Sequence, residues 1–340
     1  MKNRFRYYLM VGAALAGLAL ITYLTFDHAR YSAMHKHPQG LRRFSVTDPP
    51  PACARWKDHM PKHRDPSVFR LYIEARKLWR SKIEWQLTRD ETQRILIDVQ
   101  TAAEKGDWGA KALLAHFFRE GLGPLPENQA QVPDADEAVA ITRTAVAAGQ
   151  PWGYYDLGVA HEHGYGGAVY DEDIAWSYYL RAAELGSPEA QMALAGAYGQ
   201  ARRFADEEHM LKCAFAQGHG PAAYTLAMRQ EILGNHLEAA RLFQEGVKFG
   251  HRESASSLWL LFANGYWSWK HEVERLKALG FHVDAQRASR YEAISEALLI
   301  NPDLKLARID EVLPLPPQEL PPWGAVTDAV EPESSSQPTY

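Results

Sequence analysis

The 340-residue chain has little cysteine, no surplus of positive charge and no catalytic signature, and each shortage removes a class of function. Thirty-seven Lys and Arg stand against 42 Asp and Glu, a formal net charge of -5. That balance builds no positive field for phosphates, so nucleic acid is excluded as a partner. Two cysteines, Cys53 and Cys213, are too few for a disulfide framework and leave open whether they form a bridge or two free thiols. The chain holds no G-x-S-x-G elbow, no G-x-x-x-x-G-K-[ST] phosphate loop and no H-E-x-x-H pair. His161-Glu162-His163 comes nearest to a metal site, but ligands two apart point to different faces of a helix. His161 is therefore expected to pack, and neither a metal nor a cofactor is expected. The acid pairs Asp134/Asp136 and Asp171/Asp173 open predicted helices, where carboxylates cap free amides. Arg76, Lys77, Arg80 and Lys82 are expected on a solvated helix face. An enzyme is not expected.

Residues 7–26 form a run of twenty without a formal charge, enough to cross a bilayer as a helix. No cleavage site of the A-x-A kind follows, which favours an uncleaved anchor over a removed signal. Lys2, Arg4 and Arg6 before the run are matched by Arg30, Lys36, Arg42 and Arg43 after it, so basic flanks do not orient it. The very short basic tail points to a cytoplasmic N-terminus, with the body outside the cytoplasmic membrane. The predicted organisation is a cytoplasmic tail over 1–6, an anchor over 7–26 and a proline-bearing tether over 27–66. A helical array over 67–265, a helical cap over 266–313 and a proline-rich disordered tail over 314–340 follow.

The array is read from five glycines, Gly106, Gly149, Gly186, Gly218 and Gly250, spaced by 43, 37, 32 and 32 residues. Eight residues beyond each stand Leu114, Leu157, Leu194, Leu226 and Leu258. Nine beyond stand Ala115, Gly158, Ala195 and Ala227, small enough to let a neighbouring helix approach, before Trp259 breaks the series. Each unit is predicted to be helix, turn, helix, then a glycine ending the second helix in the left-handed conformation. One hairpin buries too little to stand alone, so the fold is predicted as an all-α, α/α solenoid of about five stacked hairpins behind an N-terminal transmembrane helix. Trp259 suggests a terminal unit covered by helices near 285–298 and 304–312. Five beyond each glycine the residues share no character: Lys111, Tyr154, Gln191, Ala223 and Ala255. That position is predicted to face outward, which makes Lys111, Tyr154 and Gln191, with nearby Trp152, the candidate partner contacts. Packing of Trp152 and Tyr154 against the preceding hairpin is the alternative.

Tyr155-x-Leu157-Gly158, His163-Gly164-Tyr165-Gly166 and Ala182-Ala183-Glu184-x-Gly186 resemble SEL-like repeats, relatives of tetratricopeptide repeats. The third and fourth units are shorter and lack the Gly-x-Gly turn. The cysteine segment, Pro151-x-Gly153-Tyr154-Tyr155 and the run from Leu313 to Trp323 resemble an uncharacterised family of exported bacterial SEL-like repeat proteins. That resemblance implies an immunity protein against a toxin of contact-dependent secretion, notably lipase effectors of type VI systems; the anchor read above makes it a single-pass inner-membrane protein with its body expected in the periplasm. A scaffold assembling an envelope complex is the alternative it allows. Which partner is bound, and in what oligomeric state, the sequence leaves open.

Overall fold

The five register glycines all have positive φ, from 72° at Gly149 to 92° at Gly186. At each one the same two bonds close the preceding helix: Gly106 and Asp107 donate to Ala103 and Ala102, and Gly250 and His251 donate to Val247 and Gly246. This is the glycine-terminated helix end that the spacing predicts. The computed structural model describes residues 35–61, 63–264, 277 and 280–330. Among them are thirteen α-helices and no strand. We number them α1 (Pro66–Trp79), α2 (Arg89–Glu104), α3 (Trp108–Glu120), α4 (Ala135–Ala147), α5 (Pro151–His163), α6 (Glu172–Glu184), α7 (Pro188–Gln200), α8 (Phe204–Phe215), α9 (Gly220–Ile232), α10 (His236–Lys248), α11 (Arg252–Asn264), α12 (Ala285–Ile300) and the short α13 (Ile309–Val312).

Consecutive helices from α1 to α12 pack in sequence, giving six pairs where about five hairpins were expected. The added pair is α1–α2, ahead of the first register glycine. The α11–α12 pair completes the fifth unit, so α12 is the second helix of a hairpin and not an external cap. The expected helix over 304–312 shortens to α13. Helices joined by short turns run antiparallel. All first helices therefore point one way, the turns inside hairpins share one long edge, and the glycine turns share the other.

Local signals hold where they were read. Thr88 and Glu91 form a capping box on α2, Asp134 caps α4, and Ser187 caps α7 ahead of Pro188. All five repeat leucines are buried, from Leu114 to Leu258. Gly158 is needed because a Cβ there would stand 2.7 Å from the Tyr179 ring of α6. The interior is divided into clusters at α1–α3, α4–α6, α6–α9 and α9–α12 with the C-terminal segment. Successive residues Leu226 and Ala227 of α9 belong to different clusters, because each helix serves the neighbours on both sides.

Two segments expected to be irregular are docked. Of the predicted tether 27–66, residues 35–61 lie along the array, as detailed below. Of the predicted disordered tail 314–340, residues 314–330 pack on α12 and α13: Ala329 is fully buried, Arg290 lies over the Trp323 ring, and Arg287 donates to Pro314 O and Gln318 O. Proline removes chain entropy from a segment that follows a surface, so a proline-rich stretch can dock without regular structure. The run 7–26 and residues 331–340 lie outside the described residues. Among the described residues no helix is long and apolar enough to cross a membrane.

Candidate partner-binding face

Residues 35–61 and 63–65 form a strap that runs along the array with its repeats from α6 to α8 and then turns back against them to α3. At its start His35 Nδ1 meets Asp171 Oδ2 at 2.7 Å, His37 meets Ser177 Oγ at 2.9 Å, and Arg42 meets Glu184 at 2.5 Å, all along α6. Burial would raise the Asp171 carboxyl, but the hydrogen bonds from His35 and the Ile174 amide hold it below its ordinary value. Phe44 stacks on Trp176 at 5.0 Å and meets Tyr198 edge-on at 5.9 Å. Arg203, at the start of α8, donates to the carbonyls of Val46 and Asp48. Cys53 is bonded to Cys213 of α8, closing a loop of sequence separation 160. The strap then follows the glycine edge: Gln191 donates to Ala54 O, Trp56 N to Gln217 Oε1, Gln150 to His59 O, and Arg64 grips Asp107 with two nitrogens, the shortest contact 2.6 Å. Asp107 also caps α3 through Ala110 N at 2.9 Å.

The same arrangement redraws the candidate contacts. Five residues beyond each glycine is an inward position: Gln191, Ala223 and Ala255 are all fully buried. Gln191 bonds Ala54 O and Gln217 and is corrected from partner contact to strap support. The position shares a helix side with the leucines eight beyond, since i and i+3 fall together. Tyr154 is half-buried and turns to Tyr178 of its own hairpin, ring centroids 6.3 Å apart. The Lys111 ammonium lies 4.2 Å over the Trp108 ring. Trp152 belongs to a different stripe, three residues beyond the glycine, and is half-buried.

That stripe, at three, six, seven, ten and thirteen beyond the glycine, lies on the first helices away from the strap, half-buried for the most part, with Leu113 buried in the core. On α3 it carries Ala112, Leu113, His116 and Arg119. These meet Arg76, Trp79 and Arg80 of α1 around a cavity of about 170 Å³. Arg80 stacks on Trp79 at 3.5 Å, and Arg76 holds Asp303 through two nitrogens at 2.6 and 2.9 Å. The expected solvated basic face is thus partly engaged: Arg76 and Arg80 reach Asp303, which brings the C-terminal loop against the first hairpin. Burial and the Arg119 guanidinium push the His116 imidazole down, toward its neutral form. On α5 the stripe carries Trp152, Tyr155, Asp156 and Glu162. Burial pushes the Asp156 carboxyl up to about 6, Arg119 at 3.8 Å draws it down, and Glu189 of α7 pushes it further up. Burial, with Glu189, Asp156 and Glu162 nearby, raises the Tyr155 hydroxyl to about 12. Glu162 accepts from Tyr179. The face therefore runs from basic at α1 and α3 to acidic and aromatic at α5 and α7. His161 lies off this face, stacked on Tyr178 with its Nδ1 at 2.9 Å from Val169 O. The sequence signal for the stripe was its lack of common character at five offsets together, which a single offset could not reveal.

The chain has no match among curated proteins. Residues 254–340, from α11 onward, match a family model described as a domain of unknown function, DUF6396. Among solved structures, the chain is similar to the immunity protein Pa5087 of Pseudomonas aeruginosa at 26% identity, over 79% of this chain and 95% of that one, with a TM-score of 0.62. The immunity protein PA5088 of the same organism matches at 25% identity, over 78% and 94%, with a TM-score of 0.59. A Sel1 repeat protein from Oxalobacter formigenes also matches, at 17% identity over 68% and 87%, with a TM-score of 0.44. The two immunity-protein neighbours accord with the immunity-protein group that the motifs resemble.

Proposed function

We propose that this protein is an immunity protein: it binds a secreted toxin, of the type VI and lipase class, through the strap-free stripe of its first helices, and performs no turnover itself. The observation that carries the reading is the similarity to the immunity proteins Pa5087 and PA5088 along nearly their whole lengths, in a fold that keeps one face free of its own strap. Trp152, Tyr155, Asp156 and Glu162 supply the aromatic and acidic part of that face, and aromatic residues are enriched among interface anchors. The body stands in the periplasm, held to the inner membrane by residues 7–26. The Cys53–Cys213 bridge supports export, since such bonds persist in oxidising compartments.

The test is co-expression with the product of each neighbouring gene directed to the periplasm. Protection of the cells and a complex lost on Trp152→Asp are expected; absence of protection and of binding by every neighbouring product sinks the reading. A phosphatase reporter fused after Tyr340 tests the compartment, and activity confined to the cytoplasm overturns export.

A further inference from the structure

Among the described residues, seven of the ten large exposed apolar side chains stand along one edge; Ile97 of α2 and Leu299 and Ile300 at the end of α12 lie elsewhere. Trp85 stands in the turn between α1 and α2, Val132 between α3 and α4, Tyr170 between α5 and α6, Phe204 at the start of α8, Ile232 and Leu233 between α9 and α10, and Val283 just ahead of α12. The first five of the six hairpins thus place an exposed apolar side chain in or beside the connection between their two helices, and Ile232 is 83% exposed. The opposite edge, at the register glycines, is followed by the strap from Gln217 to Asp107 and is met by the C-terminal loop at Gly250. Exposed apolar groups repeated along one edge mark a surface that meets something.

The length of chain ahead of the strap says what that is. His35 is tied to Asp171 at the start of α6, on this same edge and next to Tyr170. Only residues 27–34 separate it from the apolar run 7–26. Fully extended, that stretch reaches no further than about 30 Å. We infer that the turn edge of the array rests on the bilayer surface, its apolar side chains entering the interfacial layer; this depends on the anchoring by residues 7–26 proposed above. Tyr, Trp and Phe suit a boundary with one apolar and one wet side. Carboxylates interleave with them, Asp134, Glu172 and Asp206 opening the second helices, so the surface fits zwitterionic and not anionic headgroups. The tether makes the contact intramolecular, so weak individual insertions suffice. With one edge on lipid, the strap-free stripe of the first helices is left for a protein partner.

The full chain is reconstituted in phosphatidylcholine vesicles, with a nitroxide on a cysteine introduced by Phe204→Cys or Ile232→Cys, or, on the glycine edge, by Lys105→Cys or Ala216→Cys. Collisions with oxygen, which partitions into lipid, are compared with those of a water-soluble paramagnetic quencher. The expected ratio is several-fold higher at 204 and 232 than at 105 and 216, and Ile232→Glu with Leu233→Glu lowers the value at 204 while the chain still floats with the vesicles. Equal ratios at all four positions on floating vesicles overturn the inference and leave the anchor standing. Failure to float removes the anchor, and the inference with it. Shielding at 232 that requires an added protein reassigns the edge to that protein and also overturns the lipid contact.

Discussion

The two long edges of the array are made by the same twelve helices, yet they are finished in opposite ways. The glycine edge is closed by the chain's own strap through a disulfide, an ion pair and carbonyls accepting from Gln191 and Gln150. The turn edge is left with Tyr170, Phe204, Ile232 and Leu233 exposed. At Gly186 the glycine edge admits main-chain contact: the strap backbone at Arg55 and Trp56 lies where a Cβ would fall, within 2.6 Å. The connections between first and second helices vary in length and sequence. An edge covered by the protein itself contributes to folding, whereas an edge left apolar is available to a surface outside the chain.

Removing the bridge is the largest blow to the covered edge. Cys53→Ser with Cys213→Ser should lower unfolding free energy by about 3–5 kcal/mol, since the loop closed is long. Urea melts measure the loss, and limited proteolysis should now cut within 35–61; an unchanged melt would mean that the strap is held by its other contacts alone. Next, Gly186→Val places a β-branched residue at φ 92° and against the strap backbone, for an expected loss of about 2–4 kcal/mol.

Asp156→Asn sharpens the view of the face between the edges. With its carboxyl at about 6 in the native state and ordinary when unfolded, Asp156 stays protonated longer in the fold. Asp156 therefore contributes a decline in stability as pH rises from about 4 to about 6, levelling off above that, of on the order of 3 kcal/mol relative to the variant. The variant should lack that decline, which denaturation across this pH range will check. Smallest of all, Ile232→Ser with Leu233→Ser should change stability by less than about 0.5 kcal/mol. A larger loss would make the turn edge structural, like its opposite.

The array was legible because its rules are local. Gly106, Gly149, Gly186, Gly218 and Gly250 repeat one backbone requirement, and Leu114, Leu157, Leu194, Leu226 and Leu258 repeat one packing requirement. Thr88, Asp134 and Ser187 cap the helices they precede. The candidate contacts were less legible. Gln191 looked free because its neighbours in register differ, yet a buried position can hold a polar side chain when a docked segment supplies the partner. Asp303 gave no sign of reaching Arg76, 227 residues away, because ion pairs leave no periodic trace.

By itself, then, the sequence determined the repeat: helix lengths, their glycine ends and the buried leucines follow from 3.6-residue periodicity and from the one residue that takes positive φ at little cost. It also carries none of the catalytic motifs sought and no surplus of positive charge. Tertiary structure alone decided where the irregular segments go. The strap, the C-terminal proline run and the Cys53–Cys213 bond are fixed by surfaces that exist only once the helices have stacked. Which residues stay open to a partner is set by what those segments cover.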